Sequence, residues 1–275
     1  MTKKVISLEE VPDWHPEPKR FSSATHEEIA AGLTTDIYFL KTKQILDKTG
    51  HGEAVVAAEV FARQDGVFAG LDEVKLLLEG VGVEVWSLAD GDRFTAREPL
   101  MQIRGRYTDF GVLETPLAGI LASSCGWATA TRECVEAAGG KPVLCFGARH
   151  LHPAVAPVME RVAVQNGAAA ASCILGAKLA GQEPAGTVPH ALFLVMGDSV
   201  EVALAYDELM PPESPRTILV DTFKDEAEEA IRVAMALGER LQGVRLDTPR
   251  ERGGVSADLV REVRYRLDQA GFPFV

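Results

Sequence analysis

The chain is short of several things, and each shortage removes a class of function. Its formal net charge is −12, so it lacks the basic excess that general nucleic-acid binding needs, although a local basic pocket stays open. No apolar run approaches the roughly 20 residues that cross a bilayer, which argues against a helical membrane span. The opening MTKKVISLEEVPDW has two lysines but no apolar core behind them. It does not read as a signal peptide, and a cytoplasmic location is expected. The four cysteines, Cys125, Cys134, Cys145 and Cys173, have no C-x-x-C spacing and are expected to be reduced and mostly buried. Neither G-x-G-x-x-G nor G-x-x-x-x-G-K-[ST] occurs, so a Rossmann or P-loop site has no anchor. No G-x-S-x-G occurs either, which weakens a hydrolase reading. His150 and His152 lie two apart. In an extended segment they point to opposite sides, and no third ligand has suitable spacing, so zinc is disfavoured.

What is present is the material of a folded α/β protein. With 47% apolar and 25% charged residues over 275 positions, the chain can bury a sizeable core in one large domain or two ordinary ones. Residues 1–24 carry Pro12, Pro16 and Pro18 without a clear period and are expected to form an extended arm. Thr25 with Glu28 is a capping box ahead of a helix, and a second helix should hold Thr35–Tyr38 in its first turn. Strands are expected at 55–62, 83–88 and 101–107, with a helix at 71–80. Residues 115–138 read as a helix broken near Ser123–Gly126. Short apolar runs then recur at 143–146, 169–174, near Thr187, at 217–220, 244–246 and 272–275. Helical segments separate most of them, including one with Ala227, Ile231 and Ala234 on a face and one that Ser256 can cap. Strands alternating with helices predict βα units in a parallel sheet or barrel. Only about six such runs can be counted where a closed barrel has eight, so the barrel is expected to be incomplete.

The chemistry concentrates where the apolar runs stop. Val244–Gly254 reads VRLDTPRERGG: a strand ends on Asp247, three arginines (Arg245, Arg250, Arg252) surround that carboxylate, and Gly253–Gly254 should leave backbone N–H groups uncovered. Polar groups also follow the runs before Arg149 and His152, before Thr187 and His190, and before Asp221. Parallel strands would put these four ends on one rim. Arginines match carboxylate and phosphate geometry, and aspartates accept from ribose hydroxyls or hold Mg²⁺ through water. An anionic substrate with vicinal hydroxyls is the expectation.

At these residues the sequence resembles the nicotinate phosphoribosyltransferase family, in its short archaeal-like branch. The matching segments are GLTTDIYF (32–39), GLDEVKLLLEG (70–80), GRYTDFGVLETPLAGIL (105–121), FGARHLHPA (146–154), GAKLAGQEPAGTVPHAL (176–192), LVDTFKDE (219–226) and VRLDTPRERGG (244–254). The resemblance implies a type II phosphoribosyltransferase fold, with an α/β sandwich domain over 25–115 and an incomplete α/β barrel over 116–275. It implies that nicotinate and phosphoribosyl pyrophosphate give nicotinate mononucleotide and pyrophosphate, with Mg²⁺ and with ATP hydrolysis of the ligase kind. By position, Tyr38 borders the pyridine ring and Arg149 pairs with a carboxylate or phosphate. His190 matches a histidine phosphorylated by ATP. Asp221 and Asp247 hold the ribose hydroxyls and the metal. Thr187, Thr248 and Arg252 line the phosphoribosyl pocket with His152 nearby, and Arg132 reaches a neighbouring subunit's site in a homodimer or larger ring.

Two departures from that family are visible. It often has two basic residues where this chain has Arg149–His150. Its S-G-G and G-V-G loops, which bind the ribose 5′-phosphate through backbone N–H groups, do not follow Val275, so the barrel is expected to lack its last strands. Two alternatives remain. Quinolinate phosphoribosyltransferase shares the fold, but its second substrate carboxylate calls for more basic residues than the neutral Asn166–Ser172 segment offers. The other is a non-catalytic chain that binds or assembles.

Overall fold

The computed structural model describes residues 5–275, so the first residues of the expected arm and of the N-terminal leader reading lie outside it. The chain groups into two compact units that meet in sequence at Ala185/Gly186.

The first unit begins irregularly, with one 3-10 turn at Val11–Asp13. Thr25 and Glu28 form the expected reciprocal cap of α1 (His26–Ala30), and α2 (Ile37–Lys48) follows. An antiparallel sheet comes next. β1 (Val55–Phe61), β2 (Gly66–Val67), α3 (Leu71–Leu78), β3 (Val83–Ser87), β4 (Arg93–Phe94) and β5 (Pro99–Arg106) run in order, and β5 lies between β1 and β3. The alternation that marks β5 as a strand turns Met101 and Ile103 inward. They join Phe68, Val74, Leu77, Phe94 and Phe110 in one core, the last residue from the short α4 (Tyr107–Phe110).

α5 (Glu114–Ala137) is unbroken, contrary to the expected interruption near Ser123–Gly126. Gly119 and Gly126 face open space, and a helical glycine costs only about 1 kcal/mol. Against that stands a continuous buried stripe of Leu117, Leu121, Ser124, Cys125 and Ala128, whose burial outweighs the two glycines. Thr129 fixes the helix to β2, accepting from the Val67 N–H at 2.9 Å and donating to the Cys125 carbonyl at 2.7 Å. The unit closes on β6 (Leu144–Cys145), α6 (Ala156–Gln165), β7 (Ala170–Ala171) and α7 (Ile174–Leu179), with β6 and β7 parallel.

The second unit holds α8 (His190–Met196), α9 (Ser199–Leu209), β8 (Thr217–Leu219), α10 (Glu226–Leu237), β9 (Gly243–Arg245) and α11 (Ala257–Gln269). β8 and β9 pair in parallel, Ile218 opposite Val244. Asp225 caps α10 through the Ala227 and Glu228 N–H groups, and Ser256 caps α11 through the Leu259 N–H, as its sequence suggests. Ile218, Leu219, Val220, Ala230, Val233 and Ala234 make the fully buried centre.

The architecture is thus mixed α/β, an N-terminal sheet region followed by α/β units. Among the described residues no closed barrel forms, because the parallel strands pair only two by two. Two expected strands are absent. The backbone around Thr187 is irregular, since Pro184, Gly186 and Pro189 remove ladder donors and stiffness. Phe272–Val275 is also not a strand. Gly271, at φ 88°, ends α11, and the Phe272 N–H turns back to the Leu267 carbonyl at 2.9 Å. Of the four cysteines, all free, only Cys125 is buried and Cys134 is exposed, which corrects the expectation that most are buried. Among the described residues, no helix is long and apolar enough to cross a membrane.

Candidate active site

In the second unit, β8 leads directly to a buried carboxylate. The Val220 N–H donates to the Arg245 carbonyl at 3.2 Å, and the next residue, Asp221, is 3% exposed. Its Oδ2 lies 3.0 Å from Nε2 of His190, the first residue of α8. Its Oδ1 has no hydrogen-bond partner, and neither has the adjacent Thr222 hydroxyl. Unsatisfied buried polar atoms are few in folded proteins and costly, and here an acceptor and a donor stand side by side at one strand end without protein partners.

Around this strand end the basic groups are tied to named partners. Arg252 donates to the carbonyls of Asp221 at 3.0 Å and Lys224 at 3.2 Å, and its Nη2 is 3.9 Å from Glu226 Oε1. Thr248 donates to the same Glu226 oxygen at 2.6 Å. Arg245 donates to Thr187 Oγ1 and to Asp247 Oδ2, both at 2.9 Å. Arg245 therefore fixes Thr187, which no strand supports. The backbone N–H groups of Gly253 and Gly254 are taken by the Arg250 and Pro249 carbonyls, so they are not the uncovered donors that the sequence suggests.

In the first unit, a 3-10 turn after β6 carries Arg149, which is exposed and has no ion-pair partner among the described residues. His152 is exposed too, its Nδ1 accepting from the Ala154 N–H at 3.2 Å. Tyr38 stands 55% exposed in the first turn of α2, its ring tilted against Phe39 with centroids 4.3 Å apart. Partial desolvation and then Asp36 raise its phenol pKa. Burial first, then Glu114, pushes the Tyr107 phenol up to about 12. Arg132 is half-buried on α5 and unpaired among the described residues.

The expectation of four consecutive strand ends is corrected at one of them, because no strand precedes Thr187. Thr187, His190, Asp221, Asp247, Thr248 and Arg252 belong to the second unit, and Tyr38, Arg132, Arg149 and His152 to the first. The β6–β7 and β8–β9 pairs are separate sheets. The carboxylates expected to share a metal take different partners, His190 for Asp221 and Arg245 for Asp247. Among the described residues, no group of three His, Cys, Asp or Glu side chains is arranged to hold a metal ion.

Two carboxylates were not among the sequence-derived candidates. Glu226 receives Thr248 and approaches Arg252, as above. Glu160 on α6 is fully buried and accepts from the loops that follow β6 and β7. The signal for Glu160 was periodicity: it lies on the same helical face as Ala156, Met159 and Ala163, an acid where the stripe calls for an apolar residue.

Residues 36–125 match the family model of the quinolinate phosphoribosyl transferase N-terminal domain, and residues 127–268 match that of the C-terminal domain. The crystal structure of nicotinate-nucleotide pyrophosphorylase from Pyrococcus furiosus is 44% identical with a TM-score of 0.90, over 94% of this chain and 67% of that one. The nicotinate phosphoribosyltransferase pncB1 of Mycobacterium tuberculosis is 27% identical over 93% of this chain. This chain spans 64% of that curated relative's length. Human nicotinic acid phosphoribosyltransferase, at 20% identity and a TM-score of 0.63 over 87% of this chain and 66% of that one, shares the fold.

The family models overturn the nicotinate phosphoribosyltransferase assignment, since both halves of the chain match quinolinate domains. Nicotinate as substrate, ATP as co-substrate, the ligase class and a phosphorylated His190 go with it. Mg²⁺, expected from the chemistry of the two aspartates as well as from that resemblance, is not carried forward, since Asp221 and Asp247 are committed to different partners.

Proposed function

The chain belongs to the quinolinate phosphoribosyl transferase family, and on that premise we propose that it converts quinolinate and phosphoribosyl pyrophosphate to nicotinate mononucleotide, pyrophosphate and CO₂. The observation that carries this is the match of both family domains over residues 36–268. A nicotinate-nucleotide pyrophosphorylase at 44% identity supports it. The neutral Asn166–Ser172 segment does not decide against a dicarboxylate, because cationic or titratable groups stand elsewhere, at Arg149, His150 and His152.

The chemistry sets the demands on the side chains. The pyridine nitrogen lone pair bonds to ribose C1 while the C1–O bond breaks, its electron pair leaving with pyrophosphate. Positive charge develops on the ribose, and fixed carboxylates stabilise it without reorganising. We assign this to Asp221 and Asp247, with His190 holding the Asp221 carboxylate by its 3.0 Å contact. Thr187, Thr248 and Arg252 orient the phosphoribosyl group, which provides the positional part of the rate gain. The ring nitrogen is then cationic. The C2–carboxylate bond breaks, its electrons remain at C2 beside that charge, CO₂ leaves, and a proton from water fills C2. Arg149 pairs with the 3-carboxylate, His152 meets the second carboxylate, and Tyr38 offers its exposed face to the ring. Arg132 serves a neighbouring subunit in a homo-oligomer.

Incubating the purified chain with phosphoribosyl pyrophosphate and quinolinate, without ATP, tests the proposal. Nicotinate mononucleotide is the expected product. No product from quinolinate, in a sample that is folded by circular dichroism, overturns it.

A further inference from the structure

Two turns in the first unit hang on a single carboxylate. Glu160 is fully buried on α6. Its Oε1 accepts from the Ala148 N–H at 3.2 Å and the Ser172 hydroxyl at 3.0 Å, and its Oε2 accepts from the Cys173 N–H at 2.6 Å. Ala148 belongs to the turn after β6, and Ser172–Cys173 to the turn after β7. Among the described residues no Lys, Arg or His pairs with Glu160, so its satisfaction comes from these donors. The packing leaves no slack: a Cβ on Gly176 would stand 2.9 Å from Glu160 Cβ and 3.2 Å from the Pro157 carbonyl oxygen. An apolar side chain of this size would fill the space but leave the Ala148 and Cys173 N–H groups without this acceptor. What the carboxylate adds is a fixed geometry shared by two loops, one of which carries Arg149 next to Ala148.

We propose that Glu160 is a positioning residue for Arg149: by tying both turns to α6 it holds the guanidinium in place for the carboxylate of the pyridine acid. This rests on the role given to Arg149 above. In Glu160→Gln one oxygen becomes an NH₂ donor and can no longer accept. Ser172→Ala removes one donor and leaves both backbone bonds.

Steady-state kinetics of the full chain, with each substrate varied in turn, tests this together with amide hydrogen exchange. Arg149→Ala is expected to raise KM for quinolinate most. Glu160→Gln should raise it about tenfold and Ser172→Ala about twofold to threefold, with KM for phosphoribosyl pyrophosphate moving less than about twofold. The Ala148 and Cys173 amides should exchange faster in Glu160→Gln. If Glu160→Gln does not fold, Ser172→Ala decides. The proposal is overturned if Arg149→Ala raises KM for quinolinate while the folded Glu160 and Ser172 variants leave it unchanged, or if they lower kcat alone. An unchanged KM in Arg149→Ala overturns the role of Arg149 itself, and the proposal with it.

Discussion

His190 Nε2 sits 3.0 Å from one oxygen of the Asp221 carboxylate, while the other oxygen, buried, meets no donor. On the proposed function the histidine orients the carboxylate, and the unmet oxygen is the part that acts on substrate. Asp221→Asn preserves shape and removes the charge. It should lower kcat about 10²- to 10³-fold, within the range seen when one fixed electrostatic group is lost, and leave KM for the acid within about twofold. His190→Ala should cost less, and the double variant little more than Asp221→Asn alone, because both changes act through one carboxylate. Additive losses in that cycle would separate the two roles.

The Thr248 hydroxyl donates to Glu226, and both residues are buried. Thr248→Val keeps the shape and takes the donor away. Leaving Glu226 without it should destabilise the fold by about 1–3 kcal/mol, read as a lower midpoint in urea. A midpoint equal to that of the parent would mean that water or Arg252 replaces the hydroxyl.

Asp198 caps α9 through the Val200 and Glu201 N–H groups and pairs with Arg232 at 2.5 Å. The Arg232 hydrogen bond, opposed by some desolvation and aided by those N–H groups, holds its carboxyl below the ordinary 3.8. A depressed folded pKa means that the stabilisation is fully present above the unfolded value and is lost as pH falls through the folded one. Asp198→Asn should therefore be less stable than the parent at neutral pH by about 0.5–1 kcal/mol, allowing for solvent screening of a partly exposed pair. The gap should narrow below the ordinary carboxylate value and close below the depressed folded one. Urea titrations at neutral and strongly acidic pH check this, and a gap that widens on acidification would reverse the sign.

α7 approaches α6 at Gly176 so closely that an added methyl would press on Glu160 Cβ and the Pro157 carbonyl. Gly176→Ala should cost about 1–3 kcal/mol through overpacking, despite alanine's better helix propensity. A variant more stable than the parent would show that the two helices separate easily.

Much of this was legible in the residues. The Thr25 and Ser256 caps, the strands β1, β3 and β5, and the parallel runs of β6, β8 and β9 follow from local patterns that the tertiary structure did not override. Several readings failed for identifiable reasons. Gly119 and Gly126 suggested a broken helix, but their cost is local, while the apolar stripe of α5 is long and buried. The segment around Thr187 was apolar enough for a strand but had proline and glycine where ladder donors are needed. The glycine N–H groups at 253 and 254 were committed to a turn. Asp221 could be picked out because an acid ended an apolar run. Glu160 and Glu226 escaped because their importance lies in partners distant in sequence, Ser172 for one and Thr248 for the other. The substrate reading failed because motifs such as GARHLHPA and VRLDTPRERGG fit the shared fold of two families, and a match to both domain models was needed to separate them.

The most direct test of the account follows the carbon that only one substrate can lose. Quinolinate labelled in its 2-carboxylate is incubated with the full chain and phosphoribosyl pyrophosphate, without ATP, beside a parallel reaction with nicotinate. Labelled CO₂ released in step with nicotinate mononucleotide is the expected result. Mononucleotide formed from nicotinate, with no labelled CO₂ from quinolinate, would contradict it.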